Sequence, residues 1–155
     1  SSIIFSHPDN PSARCISALS SSTIEFAGSG NLQASESITV NAFDAITQTG
    51  TGVMEAPFVS ITSRRESVGT STDPVLTSAV EGTFNAPNDV FISNSGSIEL
   101  RGNQTATSGT FNLTSVGGSI TDNDDNALIT ADSVILRTLG PGGGSIGSDS
   151  FPIFM

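Results

Sequence analysis

The chain has 155 residues, of which 35 % are hydrophobic and 13 % charged, and its net charge is −10 with five basic residues, all arginine. This length allows one domain with a sizeable core, which we expect to span residues 1–155. So acidic a chain lacks the cationic face that nucleic acid or an anionic membrane surface requires, and without a run of about 18 apolar residues we expect no membrane insertion.

The predicted elements begin with an irregular opening segment at 1–21, in which 13–19 is the one stretch compatible with a short helix. From residue 22 onward, the alternation of apolar and polar residues predicts strands. The predicted strands are rich in β-branched residues and lie at 23–26, 34–40, 58–62, 90–92, 98–100, 110–114 and 131–136. Segment 68–89 is the least regular and is expected to contain an inserted loop.

The single cysteine, Cys15, excludes an internal disulfide. We expect it to be a small buried side chain, with an intermolecular link as the alternative. The paired basic residues Arg64 and Arg65 are expected to form a solvated corner.

One short phrase recurs in the second half of the chain at intervals of roughly two dozen residues. It reads Gly96-Ser97-Ile98, then Gly118-Ser119-Ile120, then Gly144-Ser145-Ile146. A period of this length is too short for a domain and is typical of a solenoid, in which each repeat is one turn stacked on the last. The chain length then corresponds to about seven rungs. An antiparallel β-sandwich is the alternative, because short strands and glycine turns fit both folds.

A cluster of oxygen-bearing side chains offers a possible calcium site. Asp122, Asp124 and Asn126 are spaced like the first three ligands of a calcium-binding loop. However, Ala127 and Ser133 stand where that loop needs glycine and a bidentate glutamate. A solvated acidic loop is the simpler interpretation, and no other cofactor is expected.

Two patterns suggest an enzyme. Residues 143–147 match the G-x-S-x-G motif around a nucleophilic serine, but the only histidine available as a base is His7, in a proline-rich turn. Ser145 also belongs to the repeated phrase, which favours a structural role.

Parallel β-helices can host polysaccharide-cleaving sites, which need acids backed by basic side chains. Asp124 and Asp125 are candidate acids, with Arg101 and Arg137 as candidate partners.

The segments 129–136, 144–147 and 151–153 resemble the repeats of filamentous-haemagglutinin-like exoproteins, large bacterial adhesins exported by two-partner secretion. The resemblance is clearest over 90–155 and weaker over 23–62, and the motifs of the family's secretion domain are not found here. It implies a right-handed parallel β-helix, a secreted or cell-surface location, and a role in adhesion or biofilm formation.

These observations lead to one expectation and two alternatives. We expect a non-enzymatic segment of an extracellular bacterial surface protein, a fragment or processed piece of a longer chain. It would act as a stiff β-rod that presents loops to a surface glycan or protein. The first alternative is a self-assembling subunit of an extracellular filament, joined to neighbouring copies through open strand edges. The second is a polysaccharide-active β-helix enzyme.

Overall fold

The computed structural model describes residues 13–122, 127–148 and 153–155. Within this part of the chain there are twelve β-strands and no helix, so no helix is present that could cross a membrane. The strands are β1 Cys15–Ser20, β2 Ile24–Phe26, β3 Leu32–Gln33, β4 Ser37–Ala42, β5 Ile46–Gln48, β6 Met54–Ser63, β7 Val75–Ala86, β8 Val90–Ser95, β9 Ile98–Leu100, β10 Gln104–Val116, β11 Ile120–Asp122 and β12 Ile129–Leu139.

Every strand pair in the described chain is parallel. The antiparallel β-sandwich is therefore excluded, and the predicted β-solenoid is confirmed with about six turns. The arrangement is consistent with a right-handed parallel β-helix, the hand that parallel crossover connections almost always take.

Coil length varies along the solenoid. Ser37 pairs with Cys15 on the coil below it and with Phe58 on the coil above it, so these two coils are nearly equal in length. Gln104 pairs with Ile129, which makes that later coil a few residues longer. The sequence predicted about seven rungs over the whole chain, and the described residues form about six turns.

The repeated phrase marks one corner of three successive coils. Ile98 lies beside Ile120, and Ile120 lies beside Ile146, all in parallel register. Their glycines bring the backbones together: a Cβ placed on Gly118 or Gly144 would lie closer than 3.0 Å to the backbone of the coil beneath. The repeat thus reflects stacking, as the sequence predicted.

The core is a set of inward columns, each built from corresponding residues of successive coils. Because side chains alternate along a strand, every second residue points inward and meets its counterparts above and below. The best-defined column is fully buried and consists of Ile24, Ile46, Val68, Val90 and Phe111. Burying such side chains contributes about 1.5–3 kcal/mol each, which makes these columns the main source of stability.

Where coils differ in length, buried amide side chains complete the hydrogen bonding. Asn94 is fully buried; its Oδ1 accepts from the Thr77 hydroxyl (2.8 Å) and the Ala79 amide (2.9 Å), and its Nδ2 donates to the Ala79 carbonyl (3.2 Å). Gln48 and Gln104 serve other corners in the same way. Within the described residues, no buried side-chain polar atom lacks a partner.

Two expectations from the sequence are corrected, and a third is confirmed only in part. Residues Cys15–Ser20 form β1, so the sheet begins inside the stretch expected to be irregular or briefly helical. Cys15 is exposed rather than buried, because it faces outward on that strand, and its thiol lies 3.6 Å from a Glu36 carboxylate oxygen. Segment 68–89 does contain an inserted loop, at 70–74, but most of it is the regular twelve-residue strand β7.

Candidate functional site

The serine of the repeated phrase forms a structural ladder. The Ser119 amide donates to the Ser97 hydroxyl oxygen (3.1 Å), and the Ser145 amide donates to that of Ser119 (3.0 Å). These bonds tie one coil to the next and account for the recurrence of serine. The histidine required by a nucleophilic Ser145, His7, lies outside the described residues.

The candidate calcium ligands are only partly described. Asp122 ends β11 and is 1 % exposed, and its carboxylate accepts a hydrogen bond from the Ala127 amide at 2.9 Å. Asp124 and Asn126 lie outside the described residues. In the part of the chain that is described, no group of three or more potential metal-ligating His, Cys, Asp or Glu side chains is found. The Ala127 amide thus gives the Asp122 carboxylate one hydrogen-bond partner within its own chain.

The structure places both basic side chains considered for polysaccharide cleavage at exposed positions. Arg101 forms an ion pair with Glu81 at 2.9 Å, and its guanidinium carbon lies 5.3 Å from the centre of the Phe58 ring. Arg137 is exposed on β12, the last strand of the described solenoid. The candidate acids Asp124 and Asp125 lie outside the described residues.

The outer surface beside β4, β6 and β7 is a regular array of short polar side chains. One column runs through five coils and contains Asn41, Thr62, Asn85, Thr105 and Thr130. The Thr105 hydroxyl donates to the Asn85 side chain at 3.0 Å, so the column is hydrogen-bonded along the solenoid axis. A neighbouring column contains Thr39, Ser60 and Thr83. This face offers many uncharged donors and acceptors at a spacing fixed by the strands, about 4.8 Å.

A groove of about 290 Å³ opens at one edge of this face, where β1, β4 and β6 end. The residues that line it come from three successive coils and are Leu19, Ser20, Ser21, Asn41, Phe43 and Arg64. The backbone bonds from the Phe43 amide to the Ser20 carbonyl (3.0 Å) and from the Arg64 amide to the Ala42 carbonyl (3.1 Å) hold the three corners in register. Leu19 and Phe43 are 69 % and 40 % exposed.

Arg65 completes this corner, with its guanidinium carbon 5.3 Å from the centre of the Phe43 ring. The sequence interpretation took the Arg64 and Arg65 pair as a solvated corner. The adjacent arginines are visible in the sequence. Their position beside Phe43 and Leu19 is not, because it depends on the register of three coils. A second cavity, beside Phe26 and Met54, has a volume of about 10 Å³ and holds at most one water molecule.

Comparison with known proteins gives no assignment. No protein-family model, no curated protein and no solved structure matches the chain.

Proposed function

We propose that this chain is a non-enzymatic, stiff β-solenoid segment of a secreted or cell-surface bacterial adhesin. The observation that carries the proposal is the continuous outward array of serine, threonine and asparagine on a rigid core of stacked aliphatic columns. A scaffold of this kind holds polar groups at fixed spacing, so that little conformational entropy is lost when a glycan or protein surface binds them.

Two further features support the proposal. The hydrogen-bonded ladders between coils make a rod about 25–30 Å long from six coils. The loop at 70–74 projects from one coil and is held by the bond from the Thr70 amide to the Asp73 carbonyl (3.0 Å). The resemblance to filamentous-haemagglutinin-like repeats supports an extracellular location and adhesion.

The adhesive role is tested by coating fluorescent beads with the purified chain and measuring their retention on bacterial and epithelial cells under flow. We expect retention above that of albumin-coated beads, and we expect replacement of Thr39 and Thr62 by alanine to reduce it. Alanine at Asn112, which faces outward on β10, is the matched control and should leave retention unchanged. Retention equal to that of albumin beads would contradict an adhesive role.

One observation favours the second candidate, a subunit of an extracellular filament. The last described coil exposes Leu128, Leu139, Ile146 and Phe154, each between 43 % and 52 % accessible. An open strand edge with apolar side chains pairs readily with a further parallel strand. A filament subunit should sediment as larger species when its concentration rises from micromolar towards millimolar.

The matched variants for that measurement are Phe154→Asp and Val80→Asp. Val80 is 60 % exposed on the side of the solenoid rather than at its end. Filament assembly predicts that only the Phe154 variant stays monomeric, while a monomeric parent chain at every concentration would remove this candidate.

A further inference from the structure

The groove at the ends of β1, β4 and β6 combines three kinds of side chain. The residues that directly follow the three strands are Ser21, Phe43 and Arg64, which occupy equivalent positions on successive coils. The groove therefore offers a hydroxyl, an aromatic ring and a guanidinium in a line along the solenoid axis. Leu19, Ser20 and Asn41 form the rest of its wall.

Among the residues that the structure describes, the arginines at this groove form no ion pair. Arg14 pairs with Glu36 and Arg101 pairs with Glu81. Neither Arg64 nor Arg65 has a carboxylate oxygen within 4.0 Å among residues 13–122, 127–148 and 153–155.

Two acidic residues lie close in sequence to the groove, and within the described residues neither forms an ion pair with Arg64 or Arg65. The Glu66 carboxylate accepts from the Asn88 amide at 3.4 Å, and its backbone amide donates to Ser63. Asp44 is half-buried, and its backbone carbonyl accepts from the Ser63 hydroxyl at 2.8 Å. Two adjacent arginines thus lie at one corner without a carboxylate contact among the described residues, in a protein whose net charge is −10.

The chemistry of the wall selects the ligand. A guanidinium binds a planar carboxylate through two parallel hydrogen bonds. An accessible aromatic ring packs against the apolar C–H face of a pyranose, and the Asn41 amide and the Ser21 hydroxyl suit sugar hydroxyls. The groove volume, about 290 Å³, is at the lower end of the roughly 300–1,000 Å³ of small-molecule sites, which suits one or two sugar rings.

We infer that this groove is a binding site for a carboxylated sugar, with Arg64 on the carboxylate and Phe43 under the ring. Arg65 supports the site by packing against the Phe43 ring and by adding positive charge. The inference deepens the proposed adhesive function, on which it rests, by naming the receptor class as a glycan that contains uronic or similar acidic residues. At physiological ionic strength the Debye length is about 8 Å, so the distant carboxylates of the protein oppose a short acidic ligand only weakly.

The test is a calorimetric titration of the folded chain with a short oligogalacturonate, at physiological salt. Its matched probe is the neutral galactose oligomer of equal length and linkage, and a sulfated galactose oligomer separates a carboxylate from other anions. We expect the carboxylated oligomer to bind at least tenfold more tightly than the neutral one. Arg64→Ala should reduce that affinity at least tenfold, with Arg64→Lys in between because a lysine retains charge but not the paired bonds.

Arg137→Ala is the control, because it removes the same charge from an exposed position on β12, and it should bind as the parent chain does. Circular dichroism melting confirms that each variant is folded. Equal affinity for neutral and acidic oligomers, unchanged affinity in Arg64→Ala, or no binding by the parent chain would overturn the inference. Tighter binding of the sulfated oligomer or of an acetylated dipeptide with a free carboxylate would also overturn it.

The bead assay separates the sugar-binding inference from the proposed adhesive function. If Arg64→Ala loses the oligogalacturonate but its beads are retained as well as parent beads, adhesion uses another surface and the groove is not the receptor site. If parent beads are not retained while the oligogalacturonate binds, the groove is a sugar site and the adhesive function is wrong.

Discussion

Replacing Asn94 by alanine removes a side chain that joins two coils inside the solenoid. Asn94 is fully buried and accepts hydrogen bonds from the Thr77 hydroxyl and the Ala79 amide, both of them buried. Alanine leaves these two donors without their acceptor in an interior that water does not reach. Each orphaned buried donor costs about 1–3 kcal/mol, so the variant should lose about 2–6 kcal/mol of unfolding free energy. That is a large part of the about 5–15 kcal/mol that stabilises a typical protein.

Urea unfolding followed by far-ultraviolet circular dichroism measures this loss. The matched control is Asn112→Ala on the outer face of β10, which should change stability by no more than about 0.5 kcal/mol. Adding Thr77→Val to Asn94→Ala removes one of the orphaned donors and should restore about 1–3 kcal/mol. If Asn94→Ala unfolds at the same urea concentration as Asn112→Ala, the hydrogen bonds of Asn94 do not stabilise the fold and the prediction is refuted.

Four further predictions concern single positions. Ile120→Ala should cost about 2–5 kcal/mol in urea unfolding, and Ile146→Ala less than half as much, because the first side chain is fully buried and the second is 48 % exposed. Gly118→Ala should cost about 1–3 kcal/mol in the same measurement, since a Cβ collides with the coil beneath; no loss would mean that the coils are further apart. Asp122→Ala should destabilise the chain by about 1–3 kcal/mol even in EDTA, because the buried Ala127 amide loses its acceptor, whereas a loss seen only with calcium present would indicate a metal site. Cys15 should react with a maleimide dye in the folded chain before any urea is added, and protection until urea is added would contradict its exposure.

The sequence predicted most of the regular part of the fold. Periodic β-branched residues gave strands near their observed positions, and the spacing of three Gly-Ser-Ile phrases gave the solenoid. Both signals are local, because inward residues alternate along a strand and the close approach of coils admits only glycine at one corner. The burial of Cys15 was predicted wrongly, because residue type alone does not tell whether a strand position faces inward or outward.

The candidate sites were less predictable than the strands. The acidic residues around Asp122 suggested a calcium ligand, yet its carboxylate accepts a hydrogen bond from a backbone amide of its own chain. Arg64 and Arg65 were visible as a basic pair, but nothing in that pair showed that Phe43 and Leu19 would share their groove. Those residues are separated by roughly one coil each, so their proximity depends on the length of every turn between them.

The amino-acid order alone determined that this chain forms strands, that these stack at intervals of roughly two dozen residues, and that its outer surface is polar, acidic and rich in serine, threonine and asparagine. Tertiary structure alone decided which copy of a repeated residue is buried, since Ile120 lies between Ile98 and Ile146, whereas Ile146 pairs only with Ile120 among the described residues. It also decided where coils of unequal length need a buried amide such as Asn94. The physical reason is that burial and hydrogen bonding between coils depend on the neighbouring turn, which no single segment encodes.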